Sequence, residues 1–199
     1  YLDVGDDFDP KIGFVPRTDV RRLRTRFRYR PRPDTPWIRR ISTGGEWTQL
    51  LDRDNDLQTR NVRSSFFVQT ETGDWAGIEL VERFELLDDV FDIDDDVSIP
   101  EGRYTFREAG IRFFLSNHRR FGGRASFNAG EFFDGTRRRA GFEVAWKATD
   151  RFSLETDYEV NHVDLPGGDF TAQRLSERLL WTLSPDLYVR GLFQWNSQR

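Results

Sequence analysis

Four arginines at alternate positions, Arg22, Arg24, Arg26 and Arg28, are the sharpest chemical feature of the chain. Guanidinium groups hold carboxylates in bidentate fashion and tolerate partial burial better than ammonium groups. Of the 30 basic residues only Lys11 and Lys147 are lysines, so the cationic chemistry is almost wholly that of arginine. Carboxylates able to answer it stand at Glu79, Glu108, Glu143, Glu155, Asp157 and Glu159. Such a set either lines a conduit or anion-attracting wall, or neutralises itself and fills the space between. Interleaved opposite charges on one inner face favour the second outcome, because a buried charge is costly unless paired.

Other chemistry is weaker. Asp88, Asp89, Asp92, Asp94, Asp95 and Asp96 make an acidic segment in which Asp92, Asp94 and Asp96 open with calcium-loop spacing. Val97 stands where that loop needs glycine, and Arg103 where it needs a bidentate glutamate. These three are weak metal candidates at most, and a solvated loop is expected. Asp52, Asp54 and Asp56 fail in the same way, with Leu57 and Arg63 at those positions. The only histidines, His118 and His162, fall at opposite ends of the inferred sheet and cannot share a metal. No serine, histidine and carboxylate group together, and paired acids of glycosidase type carry no information where acids abound. No catalytic residue and no cofactor is expected in this segment. The stretch from Asp164 to Asp169 is turn chemistry rather than a phosphate loop, and Asp134-Gly135 predicts a type I′ turn.

The elements that carry these residues repeat every two positions. Leu23, Thr25, Phe27 and Tyr29 alternate with the arginines from Arg22 to Arg30. Phe152, Leu154, Thr156, Tyr158 and Val160 alternate with Ser153, Glu155, Asp157 and Glu159, and Ala140, Phe142, Val144 and Trp146 with Arg139, Gly141, Glu143 and Lys147. Ala109, Ile111, Phe113 and Leu115 form one face opposite Glu108, Gly110 and Arg112, while Ala76, Ile78, Leu80 and Phe84 share a face interrupted by Glu82. A strand separates such sets and a helix scatters them. Weaker alternation over 37–49, 58–70, 122–132, 172–183 and 187–196 brings the total to about ten strands. The segment from Gln173 to Leu183 also fits a helical stripe, but its neighbours favour a strand.

Composition sets the outer limits. The chain has 199 residues and a net charge of -4, a length that fits one domain or a large piece of one. Charged residues make up 32%, and nothing approaches the ~20 consecutive apolar residues of a membrane-crossing helix. The absence of cysteine excludes disulfides, thiolate metal sites and a cysteine nucleophile. The acidic balance argues against a nucleic-acid footprint. Aromatics at 15% are too frequent for a disordered chain. With no methionine and Tyr1 first, the chain reads as a processed or excised piece.

Strands of ~10 residues exceed the soluble average of ~5–6 and match membrane-spanning strands. Tight turns at 71–74, 117–120, 148–151 and 184–186 fall at one end, and longer, more acidic links at 50–56, 87–103, 134–136 and 164–169 at the other. Trp75, Trp146, Phe152, Trp181 and Tyr188 sit beside turns, where interfacial aromatic belts lie. The expected fold is therefore all-β: an antiparallel up-and-down transmembrane β-barrel, partial, with a lead-in over 1–18 and the barrel over 19–199. In it the apolar face meets lipid and the charged residues Arg22, Arg24, Arg26, Arg28, Glu79, Glu108, Glu143, Glu155, Asp157 and Glu159 line the lumen. The chain ends without the terminal aromatic of such barrels, so further strands are expected beyond it. The alternative is a soluble extracellular carbohydrate-binding β-sandwich or part of a secreted glycoside hydrolase.

Several local motifs carry a family resemblance: Gly13-Phe14-Val15-Pro16-Arg17-Thr18-Asp19, Leu57-Gln58-Thr59-Arg60, Ile99-Pro100-Glu101-Gly102-Arg103-Tyr104, Phe133-Asp134-Gly135, and the stretch from Asn161 through His162, Val163, Asp164, Leu165 and Pro166 to Phe170. Together they resemble the C-terminal barrel region of the bacterial domain of unknown function 5916 family, which usually follows a sandwich similar to family 9 carbohydrate-binding modules. The resemblance implies a Gram-negative outer membrane, the lipid bilayer as partner, and a carbohydrate ligand held through a sandwich module absent from this chain. It supplies no catalytic residues. The expected role is membrane anchor or conduit of a carbohydrate-associated surface protein.

Overall fold

The computed structural model describes residues 2–4, 20–94 and 97–197. They form thirteen strands and no helix: β1 (Leu2–Val4), β2 (Val20–Tyr29), β3 (Ile38–Leu51), β4 (Leu57–Thr70), β5 (Trp75–Leu87), β6 (Phe91–Asp94), β7 (Val97–Ile99), β8 (Gly102–Leu115), β9 (Phe121–Phe132), β10 (Gly135–Thr149), β11 (Phe152–Leu165), β12 (Gly168–Ser184) and β13 (Leu187–Asn196). Eleven make one sheet in the order β1-β2-β3-β4-β5-β8-β9-β10-β11-β12-β13, and β6 and β7 make a separate hairpin. Every pairing is antiparallel and nearly every neighbour in the sheet is a neighbour in sequence, so the architecture is the expected up-and-down all-β one. The stretch from Gln173 to Leu183 is strand, inside the 17-residue β12.

Three features differ from expectation. The sheet is open among the described residues, with β1 and β13 at its edges rather than paired into a closed barrel. Leu2–Val4 pairs with Val20–Arg22, so the start of the supposed lead-in is already sheet; residues 5–19 lie outside the described ones. The difference in link length between the two ends is also smaller than the sequence suggests. At one end, the turn end, the links are 30–37, 71–74, 116–120, 150–151 and 185–186; at the other, the hairpin end, they are 52–56, 88–101, 133–134 and 166–167. Strand pairing runs to the last possible residue at 133–134 and 166–167, because Phe132 pairs with Gly135 and Leu165 with Gly168. The first of these turns is centred on Phe133-Asp134, not Asp134-Gly135, and Phe133 takes the positive φ of 51°.

The link 88–101 folds into the β6–β7 hairpin instead of remaining a solvated loop. Asp88, Asp89 and Asp92 face water, while Val97 and Ile99 turn inward. They pack with Phe106, Phe132, Val163 and Leu165 in a buried core, flanked by Leu87, Tyr104, Phe133 and Phe170. Phe132 and Phe133 meet edge to face at 4.9 Å, and Phe106 lies 5.0 Å from Phe133. Full burial of one such side chain contributes roughly 1.5–3 kcal/mol.

Candidate functional site: the charged face of the sheet

Residues directly opposite in an antiparallel ladder share a face, so the register assigns every side chain to one side. One row runs Arg26, Glu46, Arg63, Val81, Glu108, Gly130, Arg137 and Val163 across eight strands. By the same reckoning Arg22, Arg24, Arg26, Arg28, Glu79, Glu108, Glu143, Glu155, Asp157 and Glu159 all stand on one face. The other face carries Phe27, Val62, Ile78, Leu80, Ile111, Phe127, Phe142 and Leu154.

The burial of these faces is inverted relative to a soluble sheet. Glu79 and Glu108 are each only 7% exposed, whereas Ile78 and Leu80, the residues on either side of Glu79, are 51% and 56% exposed. Strand β8 alternates in the same sense, with Phe106, Glu108 and Gly110 buried and Arg107, Ala109 and Ile111 exposed. From β4 to β10 the charged face is thus the enclosed side of the sheet and the hydrocarbon face the open one, whereas on β2 and β13 both faces are largely exposed. Phe113 and Phe142 lie on that open face, with no second sheet packed over them among the described residues.

On the enclosed side the acids are held by arginines from adjacent strands or, for Arg137, from the strand beyond. Glu46 accepts from Arg24 at 3.0 Å and Arg26 at 2.6 Å. Glu79 accepts from Arg112 at 2.9 Å and Arg63 at 3.5 Å. Arg137 donates to both oxygens of Glu108, at 2.9 and 2.7 Å, and Arg83 donates to the same carboxylate. Arg124 meets Glu143 at 2.6 Å, Arg178 meets Glu155 at 2.7 Å and Arg174 meets Asp157 at 3.1 Å. Glu159 lies opposite Arg174. Arg22 and Arg28 have no carboxylate partner among the described residues, so the ladder divides into a bound middle and two free ends. Multiple charge-assisted bonds of this kind satisfy the acids and fix the relative positions of the strands. The partners Glu46, Arg63, Arg83, Arg112, Arg124, Arg137, Arg174 and Arg178 were not picked out by sequence reasoning. Their alternation with apolar neighbours was the available signal, but the register that joins them was not.

The open face has a patterned boundary. Trp146, Phe152 and Trp181 sit on it at the turn end, with Phe121 and Trp146 stacked at 6.0 Å and Trp146 6.4 Å from Phe152. Toward the hairpin end charged or polar side chains enter this face on successive strands at Arg60, Glu82, Arg107, Glu131, Arg138 and His162, with Phe84 and Leu86 following Glu82 on β5. The Glu82 that interrupts β5 belongs to this boundary and is bound by Arg60 at 3.1 Å and Arg107 at 2.8 Å. Two expected belt residues lie elsewhere. Trp75 is on the charged face, between Phe67 at 5.3 Å and Phe114 at 5.6 Å. Tyr188 is also there, opposite Thr182 and beside Arg190, because a bulge between Thr182 and Ser184 shifts the register.

The turn end is tied by Asp74. Its Oδ1 accepts from the Ser116 backbone N–H at 2.9 Å, and its Oδ2 from Arg119 at 2.8 Å and Thr72 at 2.8 Å. These donors, the Ser116 amide foremost, lower its pKa from 3.8 to about 2. His118 lies in this turn region and His162 on β11, where its Nδ1 is 2.9 Å from the Thr171 hydroxyl, so the two histidines are not brought together. No three potential ligands converge on a metal position among the described residues, which include Asp92 and Asp94 but not Asp96.

No protein-family profile, curated protein or solved structure matches the chain. Three of the five motifs behind the family resemblance share a location, and Leu57 to Arg60, at the start of β4, is not part of it. Ile99, Tyr104, Phe133, Val163, Leu165 and Phe170 all belong to the core beneath the hairpin, while Gly13 to Asp19 lie outside the described residues.

Proposed function

We propose that this chain is part of the wall of a bacterial outer-membrane β-barrel, serving as membrane anchor or conduit for a carbohydrate-associated surface protein. The observation that carries this reading is the inverted burial on β5, where Glu79 is enclosed between two exposed aliphatic residues. A soluble protein leaves such a continuous hydrocarbon face in water only at a large free-energy cost, and a bilayer removes that cost. The apolar run between the aromatic and charged boundaries also fits. From Ala140 to Trp146 and from Phe152 to Val160 it spans roughly 20–26 Å along the strand at about 3.3 Å per residue. Strands tilted by about 35–45° need roughly 30–35 Å of length to cross an apolar band about 25 Å tall, so these runs cover the larger part of one. In lipid the outward edges of β1 and β13 need partner strands, because every backbone amide and carbonyl there must be paired within the protein. The link to carbohydrate comes from the motif resemblance.

Phe142→Arg tests the assignment of faces. A charge at the lipid midplane costs about 2–4 kcal/mol, so this variant should fold into detergent or vesicles far less stably, whereas Arg24→Gln on the charged face should cost little. Heat-modifiable migration in gels is the expected companion result. A chain that remains soluble and monomeric without detergent would overturn the proposal.

A further inference from the structure

The geometry points to a binding site for a phosphate group at the turn end of the charged face, in a cleft of about 620 Å³ between the links 116–120 and 150–151. Three arginines and a lysine line it (Arg119, Arg120, Arg151 and Lys147), with His118 beside them, against the single acid Asp150. Arg119 is engaged by Asp74. Arg120 and Arg151 have no carboxylate partner among the described residues. Lys147 uses one donor on the Asn117 carbonyl, at 2.7 Å, and an ammonium has three. Among the arginines and the lysine lining the cleft, only Arg119 is bound by a carboxylate of the described residues, so the cleft carries an excess of positive charge.

The cations are also held on fixed backbone. The Lys147 N–H donates to the Arg120 carbonyl at 2.8 Å, and the Thr182 N–H to the Arg151 carbonyl at 2.7 Å. The Thr149 hydroxyl accepts from the amides of Arg151 and Phe152, at 3.2 and 3.0 Å, which closes the second turn. Cations converging from two turns and a strand end repel one another, and an anion between them removes the repulsion. A phosphate has enough oxygens to meet two guanidinium forks and an ammonium at once, whereas a carboxylate has only two. Its source is either a soluble phosphate compound or a lipid headgroup, since Phe152, which also lines the cleft, belongs to the aromatic group on the open face.

Calorimetric titration of the detergent-solubilised chain with inorganic phosphate, and flotation with phosphatidic acid or phosphatidylcholine vesicles, separate these sources. Saturable phosphate binding weakened at least tenfold in the Arg120→Gln/Arg151→Gln variant supports the site with a soluble ligand. Preferential flotation with phosphatidic acid, lost in the same variant, supports a headgroup. Lys147→Gln should weaken whichever signal is seen, and Arg103→Gln, remote from the cleft, should leave it intact. Binding indifferent to Arg120, Arg151 and Lys147, or no binding of either kind, overturns the inference. The calorimetric result does not depend on membrane insertion, so the site and the barrel proposal can fail separately.

Discussion

At the turn end, Asp74 joins two links through the backbone amide of the buried Ser116 and through the exposed side chains of Arg119 and Thr72. At the hairpin end, Ile99, Phe106, Val163 and Leu165 are sealed under β6 and β7, with Arg137 placed 4.4 Å over the Phe132 ring. Both ends sit on the same sheet, but only the hairpin packs over its charged face. The difference teaches that the strand ends do not need one kind of fastening: polar pins suffice where short turns already hold the strands together. A fourteen-residue link must instead bury apolar side chains to become ordered, because its closure entropy is larger.

The comparison can be broken most forcefully at Phe106. Phe106→Ala should lower unfolding stability by about 3–5 kcal/mol and raise amide exchange through β6 and β7, as expected for a large buried aromatic. Unchanged exchange there would mean that the hairpin is not held by this core. Glu108→Gln comes next. It leaves Arg83 and Arg137 without their shared carboxylate, and a loss of about 1–3 kcal/mol in denaturant midpoint experiments is expected. A neutral result would show that the arginines find other partners. The smallest effect belongs to Asp74 and appears only in acid. Its folded pKa lies below the ordinary one, so its contribution is complete above pH 3.8, declines as pH falls, and is gone below about 2. Exchange at the Ser116 amide should rise over that interval while Val163 stays protected. Asp74→Asn should abolish the pH dependence at Ser116, and persistence of it would assign the titration to another group.

Much of the fold was legible because alternation is local. The side-chain period of a strand needs no knowledge of the partner strand, so Arg22 to Arg28, or Phe152 to Val160, could be sorted into faces from one segment. The same parity also holds information that proximity to a turn obscures. Trp75 has the odd number of Glu79 and so belongs to the charged face, although it adjoins a turn like a belt residue. Tyr188 was less accessible, since its face depends on a bulge that composition does not announce. The core beneath the hairpin left a fainter trace in Phe106, Val163 and Leu165, apolar residues standing at positions whose parity is otherwise charged.

The chain's own order of residues determined that it makes long antiparallel strands with one hydrocarbon and one ionic side, because those properties follow from spacing along a single backbone. Only the tertiary structure decided that Glu46 binds two arginines, that Glu108 draws Arg83 and Arg137 together from different strands, that the acidic link folds back over the ionic side, and that the sheet is open among the described residues. Each of those outcomes depends on register or on contact between residues distant in sequence, and neither is encoded in the period of any one strand.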